Sequence, residues 1–177
     1  LVGSEMCIRD RVYLSQVTQN ECIADATEHW RRNKGRCNGS MYWQLNDCWG
    51  VCSWSSIDYY GNYKALQYGA RHFNAPVSVS IENTEEYIKL FVLNDLKEKQ
   101  DVTVTYDIFD FVSGTKQSDK KDVSIDAVKN ELVFELDVKS LAKAYDLKRT
   151  GVAVKLFKNG ELLQQKTVLF DLSLIHI

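Results

Sequence analysis

Apolar and polar residues alternate through most of the second half of the chain, from Pro76 to residue 171. A period of two places apolar side chains on one face of a β-strand and polar ones on the other. The predicted strands cover residues 77–82, 87–93, 102–108, 123–125, 132–138, 152–156 and 162–170. Asn159-Gly160 between the last two strongly favours a tight hairpin turn. About seven short strands predict an antiparallel β-sandwich of immunoglobulin type over residues 76–171, with one helical turn at residues 139–146.

The first half of the chain has a helical pattern interrupted by one short apolar run. Residues 12–34 carry a broken apolar stripe at helical spacing, followed by Gly35 as a plausible stop. Residues 40–45, SMYWQL, predict a fully buried strand, and a polar and aromatic loop follows. Residues 62–73 return to helical spacing. Helix, buried strand, loop and helix is the order expected of a piece of a parallel α/β fold.

The two ends of the chain differ from the rest. LVGSEMCIRDR at residues 1–11 and LSLIHI at residues 172–177 resemble translated sequencing-adapter read-through, and we leave them out of the fold prediction. The alternative is a natural disordered start and a short apolar tail. If both ends are foreign, the natural part between them is cut on both sides.

Composition excludes some partners. Of 177 residues, 45% are hydrophobic and 26% charged, and the formal net charge is -2. This balance gives no reason to expect nucleic acid or an anionic membrane as a partner. No apolar run approaches the roughly 20 residues that cross a bilayer.

The cysteine spacing does not predict a metal site or a cofactor. Five cysteines are present, one of them in the suspect end. The other four lack the paired spacing of zinc ligands. Cys48 and Cys52 could meet only if their loop folds back on itself, so free buried thiols are the favoured interpretation.

Residues 41–66 combine large aromatic side chains with small polar ones. Three of the four tryptophans, Trp43, Trp49 and Trp54, stand here beside Asn46 and Asp47. Indole faces next to amide and carboxylate groups suit a sugar ring, whose C–H face stacks while its hydroxyls form hydrogen bonds. The alternative is that the tryptophans belong to a core and that Asn-Asp makes a turn. The candidate substrate-binding residues are Trp43, Asn46, Asp47 and Trp54.

The order of these residues is more specific than their types. MYWQLNDCWGVCSWSSIDYYGNYKALQYGARHFNAPV closely resembles the end of the catalytic barrel of β-mannosidases in glycoside hydrolase family 2. The resemblance implies a TIM (β/α)8 barrel whose last part is residues 12–75, with the eighth strand at residues 40–46 and the eighth helix at residues 62–73. The predicted fold class is therefore α/β plus all-β, the barrel end followed by the sandwich. Departures from the family pattern stand at five positions: Gly50, Tyr63, Gln67, Gly69 and Asn74.

The same resemblance implies the chemistry. Enzymes of this kind are retaining exo-glycosidases that use two glutamates, one as acid and one as nucleophile. Both lie on barrel strands before residue 12, so no catalytic residue is expected here, and Glu21 and Glu28 in a surface helix are not the pair. Trp43 is implied as a platform under the sugar. Asp47 either is structural or binds a sugar hydroxyl, and Asp58 is expected to hold the loop.

Two other functions compete with a β-mannosidase fragment. One is a non-catalytic carbohydrate-binding or interaction module built on the sandwich, although the sandwich aromatics are scattered. The other is a fragment of a sister β-galactosidase or β-glucuronidase, whose corresponding strand is less like YWQLND. The expected partners are a glycoside or oligosaccharide substrate and the missing N-terminal part of the same chain.

Overall fold

The computed structural model describes residues 2–170, with side chains from residue 8 onward. It divides into two compact units, Leu1–Ala75 and Pro76–Ile177, which are described separately below. The suspected tail at residues 172–177 lies outside the described residues. No helix in the described part of the chain is long and apolar enough to cross a membrane.

The described part of the first unit contains two helices, α1 (Val2–Arg32) and α2 (Ala65–Phe73). The predicted first helix is confirmed, but it begins well before residue 12 and ends at Arg32. Basic side chains occupy its last turn, where they offset the negative end of the helix dipole. Gly35 then adopts a φ of 97°, which glycine tolerates without strain.

A small apolar cluster joins the two helices. Leu66, Ala70 and Phe73 of α2 are buried, and Ile23 and Ala24 of α1 pack against them together with Tyr42. The Tyr42 and Phe73 rings meet edge to face, with centroids 6.5 Å apart. Apolar residues three and four positions apart on α2 therefore form the face that is buried against α1.

The strand predicted at residues 40–45 is absent, and the described residues form no barrel. Only isolated bridges occur in this region, between Asn46 and Ile57 and between Ile57 and Tyr63. A strand is defined by a ladder of hydrogen bonds to a neighbour. No neighbouring strand lies beside residues 40–46 in the described first unit, so this apolar run is an irregular segment.

The second unit is the expected sandwich. Its described residues, 76–170, form seven strands: β1 (Val77–Asn83), β2 (Tyr87–Asn94), β3 (Gln100–Asp110), β4 (Gly114–Ile125), β5 (Asn130–Asp137), β6 (Thr150–Lys158) and β7 (Glu161–Leu169). They form two antiparallel sheets, ordered β1-β2-β5 and β4-β3-β6-β7. The predicted helical turn is α3 (Val138–Ala144), followed by a short 3₁₀ turn at Leu147–Arg149.

One apolar core lies between the two sheets. Ile88 and Leu90 from one sheet and Val104, Ile108 and Val154 from the other are completely buried. These positions alternate along their strands, as the period-two pattern predicted. The second unit is thus an immunoglobulin-like sandwich.

Candidate functional site

An open depression of about 970 Å³ lies on the first unit, beside α1. Of the predicted site residues, Trp43, Asp47 and Trp54 line it, whereas Asn46 does not. Trp49 and Lys64 line it as well. The polar and aromatic stretch therefore does gather around one concavity.

The tryptophans of this depression are exposed. Trp43 is 71% exposed, Trp49 69% and Trp54 62%, which excludes them from the core of the described first unit. The peptide bond between Trp43 and Gln44 is cis. Exposed indoles on a concave surface offer flat apolar faces to a ligand.

Asp47, unlike the tryptophans, is buried, and both of its carboxylate oxygens have hydrogen-bond partners. Ser53 Oγ donates to its Oδ1 at 2.5 Å, and Ser55 Oγ donates to its Oδ2 at 2.7 Å. Lys64 Nζ lies 3.3 Å from the same Oδ2. The backbone N–H of Asp47 donates to the carbonyl of Ile57 at 3.1 Å. These contacts favour the structural role that the sequence left open for Asp47.

The charge of Asp47 is stabilised by these partners. The hydrogen bond from Ser53 is the largest influence that lowers the pKa of Asp47, and the bond from Ser55 comes next. Burial opposes them, and Lys64 adds a further lowering of this pKa through its hydrogen bond and its charge. The carboxylate is therefore ionised at neutral pH, in the form that accepts these hydrogen bonds.

Asn46 is exposed next to this cluster. Its Nδ2 donates to the backbone carbonyl of Asp47 at 3.2 Å, and its own backbone forms the bridge to Ile57. Its side-chain carbonyl remains an available acceptor on the surface.

A second buried hydroxyl, that of Ser56, ties this loop to α2. Ser56 is completely buried, and its Oγ lies 2.9 Å from both the Leu45 carbonyl oxygen and Gln67 Oε1. Gln67 is one of the positions that depart from the family pattern. Here its side chain serves as an internal hydrogen-bond partner.

Asp58 shapes the next turn, as the sequence indicated. Its Oδ1 accepts from the backbone N–H groups of Tyr60 and Asn62, and its Oδ2 accepts from the Asn62 side chain. The side-chain bond from Asn62 is the largest cause that lowers the pKa of Asp58. An aspartate that organises its own following turn is a common loop device.

The predicted burial of the cysteines and the predicted exposure of Glu28 are both wrong. The four cysteines described are free, as predicted, but they are not buried: Cys22, Cys48 and Cys52 are exposed. The interior of the loop is filled by serine hydroxyls and Asp47, so Cys48 and Cys52 face outward. Glu28 was expected on a solvent-exposed helix face, but it is only 7% exposed and is therefore buried. No group of three or more metal-ligating His, Cys, Asp or Glu side chains occurs among the described residues.

Lys64 is not among the site residues that the sequence predicts. Its ammonium reaches Asp47 Oδ2 and Ser55 Oγ from the residue before α2, at 3.3 Å and 2.7 Å. No signal in the sequence links it to Asp47, which lies 17 positions earlier.

Comparison with known proteins identifies relatives for both halves of the chain. Residues 86–172 match the family model described as Mannosidase Ig/CBM-like domain. The β-mannosidase of Bos taurus is 47% identical over 76 residues, which are 39% of this chain and 9% of that protein. The β-mannosidase of Capra hircus is 36% identical over 104 residues, 55% of this chain and 12% of that protein. The chain is β-mannosidase-like.

Solved structures agree with this relationship. A β-D-mannosidase from Dictyoglomus thermophilum aligns with a TM-score of 0.83 and 32% identity, covering 92% of this chain and 20% of that chain. An exo-chitosanase from Amycolatopsis orientalis aligns with a TM-score of 0.73 at 19% identity, over 89% of this chain and 19% of that chain, and shows the fold alone. The chain spans about a tenth of the length of the curated relatives it matches, 9% and 12% in the two cases above.

Proposed function

We propose that the chain is part of a retaining exo-β-mannosidase of glycoside hydrolase family 2, which removes terminal β-D-mannose from β-mannosides. The observation that carries this proposal is the depression with Trp43, Trp49 and Trp54 exposed around it, within a β-mannosidase-like sequence. In the complete enzyme, residues 12–75 form the last part of a TIM barrel. Residues 76–171 form the immunoglobulin-like domain that follows it.

The tryptophans supply stacking surfaces in this proposal. Trp43 lies under the sugar at the cleavage position, and Trp54 forms a second wall. Asn46 does not line the depression, and its exposed side-chain carbonyl is the group that would accept from a sugar hydroxyl in this proposal. Asp47 acts indirectly, because its oxygens are occupied by Ser53, Ser55 and Lys64.

The two catalytic glutamates lie in the part of the enzyme that precedes residue 12. That part also covers apolar side chains of the first unit that are exposed here, among them Val12, Leu14, Met41 and Leu45. Burying such side chains is favourable by about 25 cal/mol per Å² of apolar surface. The missing N-terminal part is thus the principal partner of residues 12–75.

A carbohydrate-binding role for the sandwich itself has less support. Tyr106 is 4% exposed, and its ring meets Phe134 inside the sandwich with centroids 4.9 Å apart. These aromatics stabilise the core and present no platform to a sugar.

Hydrolysis of chromogenic glycosides tests the proposal. The complete polypeptide is expected to hydrolyse a β-mannoside in preference to a β-galactoside or a β-glucuronide. The 177-residue chain alone is expected to be inactive on all three, because both glutamates are absent. Hydrolysis by this chain above a heat-killed control would refute the assignment of the glutamates. A preference of the complete polypeptide for the galactoside or glucuronide would refute the mannosidase assignment.

A further inference from the structure

We propose that Lys64 is a positioning residue that fixes the backbone on both sides of Trp54 and so holds this indole ready for the substrate. The inference rests on the proposed function, because it assumes that Trp54 is a wall of the sugar site. It assigns to Lys64 an action through Trp54 and no direct contact with the sugar.

The ammonium of Lys64 is partly buried within a polar cluster. It lies 2.7 Å from Ser55 Oγ, 3.3 Å from Asp47 Oδ2 and 3.4 Å from the Ser53 carbonyl oxygen. Only 15% of the lysine side chain and 2% of the Asp47 side chain are exposed. A fourth acceptor, Ser53 Oγ, lies 3.5 Å away. An ammonium has three donors, so these four acceptors can take all of them. No donor remains for a sugar hydroxyl, which distinguishes positioning from substrate contact.

The same cluster clamps the two neighbours of Trp54. Ser53 and Ser55 each donate to one oxygen of Asp47, and the backbone N–H of Ser55 also donates to Ser53 Oγ at 3.1 Å. From the other side, Gln19 Nε2 of α1 donates to the carbonyl oxygen of Trp54 at 2.7 Å. Hydrogen bonds to Asp47 through Ser53 and Ser55, and to Gln19 through the Trp54 carbonyl, therefore fix the backbone around Trp54.

The side chain of Trp54 contrasts with its fixed backbone. Ser55 is completely buried, whereas Trp54 is 62% exposed and lines the depression. A rigid backbone with a free aromatic face is a preorganised binding surface, because little ordering remains to be done when the ligand arrives.

Helix α2 determines where the ammonium lies. Lys64 immediately precedes Ala65, the first residue of α2, and its backbone N–H donates to the Ser56 carbonyl at 2.9 Å. Leu66 anchors the start of α2 in the small apolar cluster. Because α2 is packed on α1, the position of Lys64 is fixed, and Lys64 in turn fixes the loop that carries Trp54.

A double-mutant cycle in the complete enzyme tests this inference. The variants are Lys64→Met, Trp54→Ala and their combination, with Lys99→Met, an exposed lysine of the sandwich, as the matched control. We expect Lys64→Met to reduce kcat/KM for a chromogenic β-mannoside by roughly 10- to 100-fold, the scale of a misplaced binding group. In the Trp54→Ala background, Lys64→Met should lower kcat/KM little further, because the indole that Lys64 positions is already absent. If the fold-loss in kcat/KM of the double variant equals the product of the two single fold-losses, the residues act independently and the inference is wrong.

Hydrogen exchange provides a readout that needs no substrate. The amides of Ser55, Ser56 and Ile57 are bonded within the loop, and we expect them to exchange faster in Lys64→Met and unchanged in Lys99→Met. Ser55→Ala, which removes only the hydroxyl between Lys64 and Asp47, replaces Lys64→Met if the latter fails to fold. Unchanged exchange would overturn the inference. If the complete polypeptide does not hydrolyse β-mannosides, the proposed function fails, and the exchange measurement still decides whether Lys64 orders the loop.

Discussion

Arg31 near the end of α1 donates through Nη1 to the carbonyl oxygen of Phe73, the last residue of α2, at 2.5 Å. Its Nη2 donates to the Ala75 carbonyl at 2.8 Å. The last carbonyls of a helix lack partners within the helix, and a cation there also opposes the helix dipole. One side chain of α1 therefore completes the C-terminus of α2 and the segment that leaves it.

Removing this guanidinium is expected to destabilise the first unit within the complete polypeptide. Arg31→Met should lower the free energy of unfolding by about 1.5–3 kcal/mol, the range for hydrogen bonds to a charged group. Thermal melting measures the loss, with Arg36→Met, an exposed arginine after α1, as the control. Equal melting temperatures for the two variants would show that this cap contributes nothing.

The two units are expected to differ when each is produced alone. The sandwich has a continuous buried core from both sheets, including Ile88, Leu90, Val104 and Val152. Three buried apolar residues hold α1 and α2 together in the described part of the first unit: Leu66, Ala70 and Phe73. We therefore expect residues 76–171 alone to give a β-type circular dichroism spectrum and a cooperative melt, and residues 12–75 alone to give neither. A disordered spectrum for residues 76–171 would contradict this expectation.

Local signals made the sandwich predictable from its sequence. The hairpin between β6 and β7 needs two residues with positive φ, and Asn159 and Gly160 adopt 51° and 82°. The buried positions of β3 and β6 alternate, so the sequence of each strand shows the period of two without knowledge of the strand it pairs with. Most of β4 gave no such signal, because every residue before Val123 is exposed. That strand exists through its hydrogen bonds with β3.

The candidate site was predictable in composition but not in geometry. Side chains of the right types are adjacent in the sequence, so Trp43, Asp47 and Trp54 could be selected. One partner of the buried Asp47 carboxylate is Lys64, which lies 17 positions away and is linked to it by no periodic pattern. The run at residues 40–45 has the composition of a strand, yet a strand requires a neighbouring ladder as well as apolar side chains.

The sandwich should lose stability in acid partly through Asp110. Its Oδ1 accepts from the backbone and hydroxyl of Ser113 and from the backbone of Val112, and these bonds hold the pKa of Asp110 far below its usual value. A carboxyl whose pKa is lower in the folded state stabilises that state above its unfolded pKa of about 3.9. This contribution disappears as the pH falls through the folded pKa.

Urea unfolding of Asp110→Ala in the complete polypeptide measures this effect. The variant is expected to be less stable than the parent near pH 7, and the difference should narrow as the pH falls below about 4. Asp126→Ala, at an exposed aspartate, controls for the change in net charge. A difference between parent and Asp110→Ala that stays constant across this range would show that the ionised carboxylate is not its cause.

Trp43 is the residue whose substitution best separates a sugar platform from a packing role. It is 71% exposed beside the depression, whereas Trp30 on α1 is 41% exposed and does not line it. In the complete polypeptide, Trp43→Ala would remove the proposed stacking surface and leave the two expected catalytic glutamates in place. Because useful sugar contacts strengthen at the transition state, the loss should appear in kcat/KM. We expect a drop of roughly 10²–10³, equivalent to about 3–4 kcal/mol.

Trp30→Ala is the control for Trp43→Ala, because it removes an indole of the same size from the first unit without touching the depression. It should lower the melting temperature more than it lowers kcat/KM, and Trp43→Ala should do the reverse. Kinetic constants and melting temperatures measured side by side for both variants decide the question. If Trp43→Ala melts early but turns over a β-mannoside normally, Trp43 packs against the rest of the enzyme and is not a platform for the sugar.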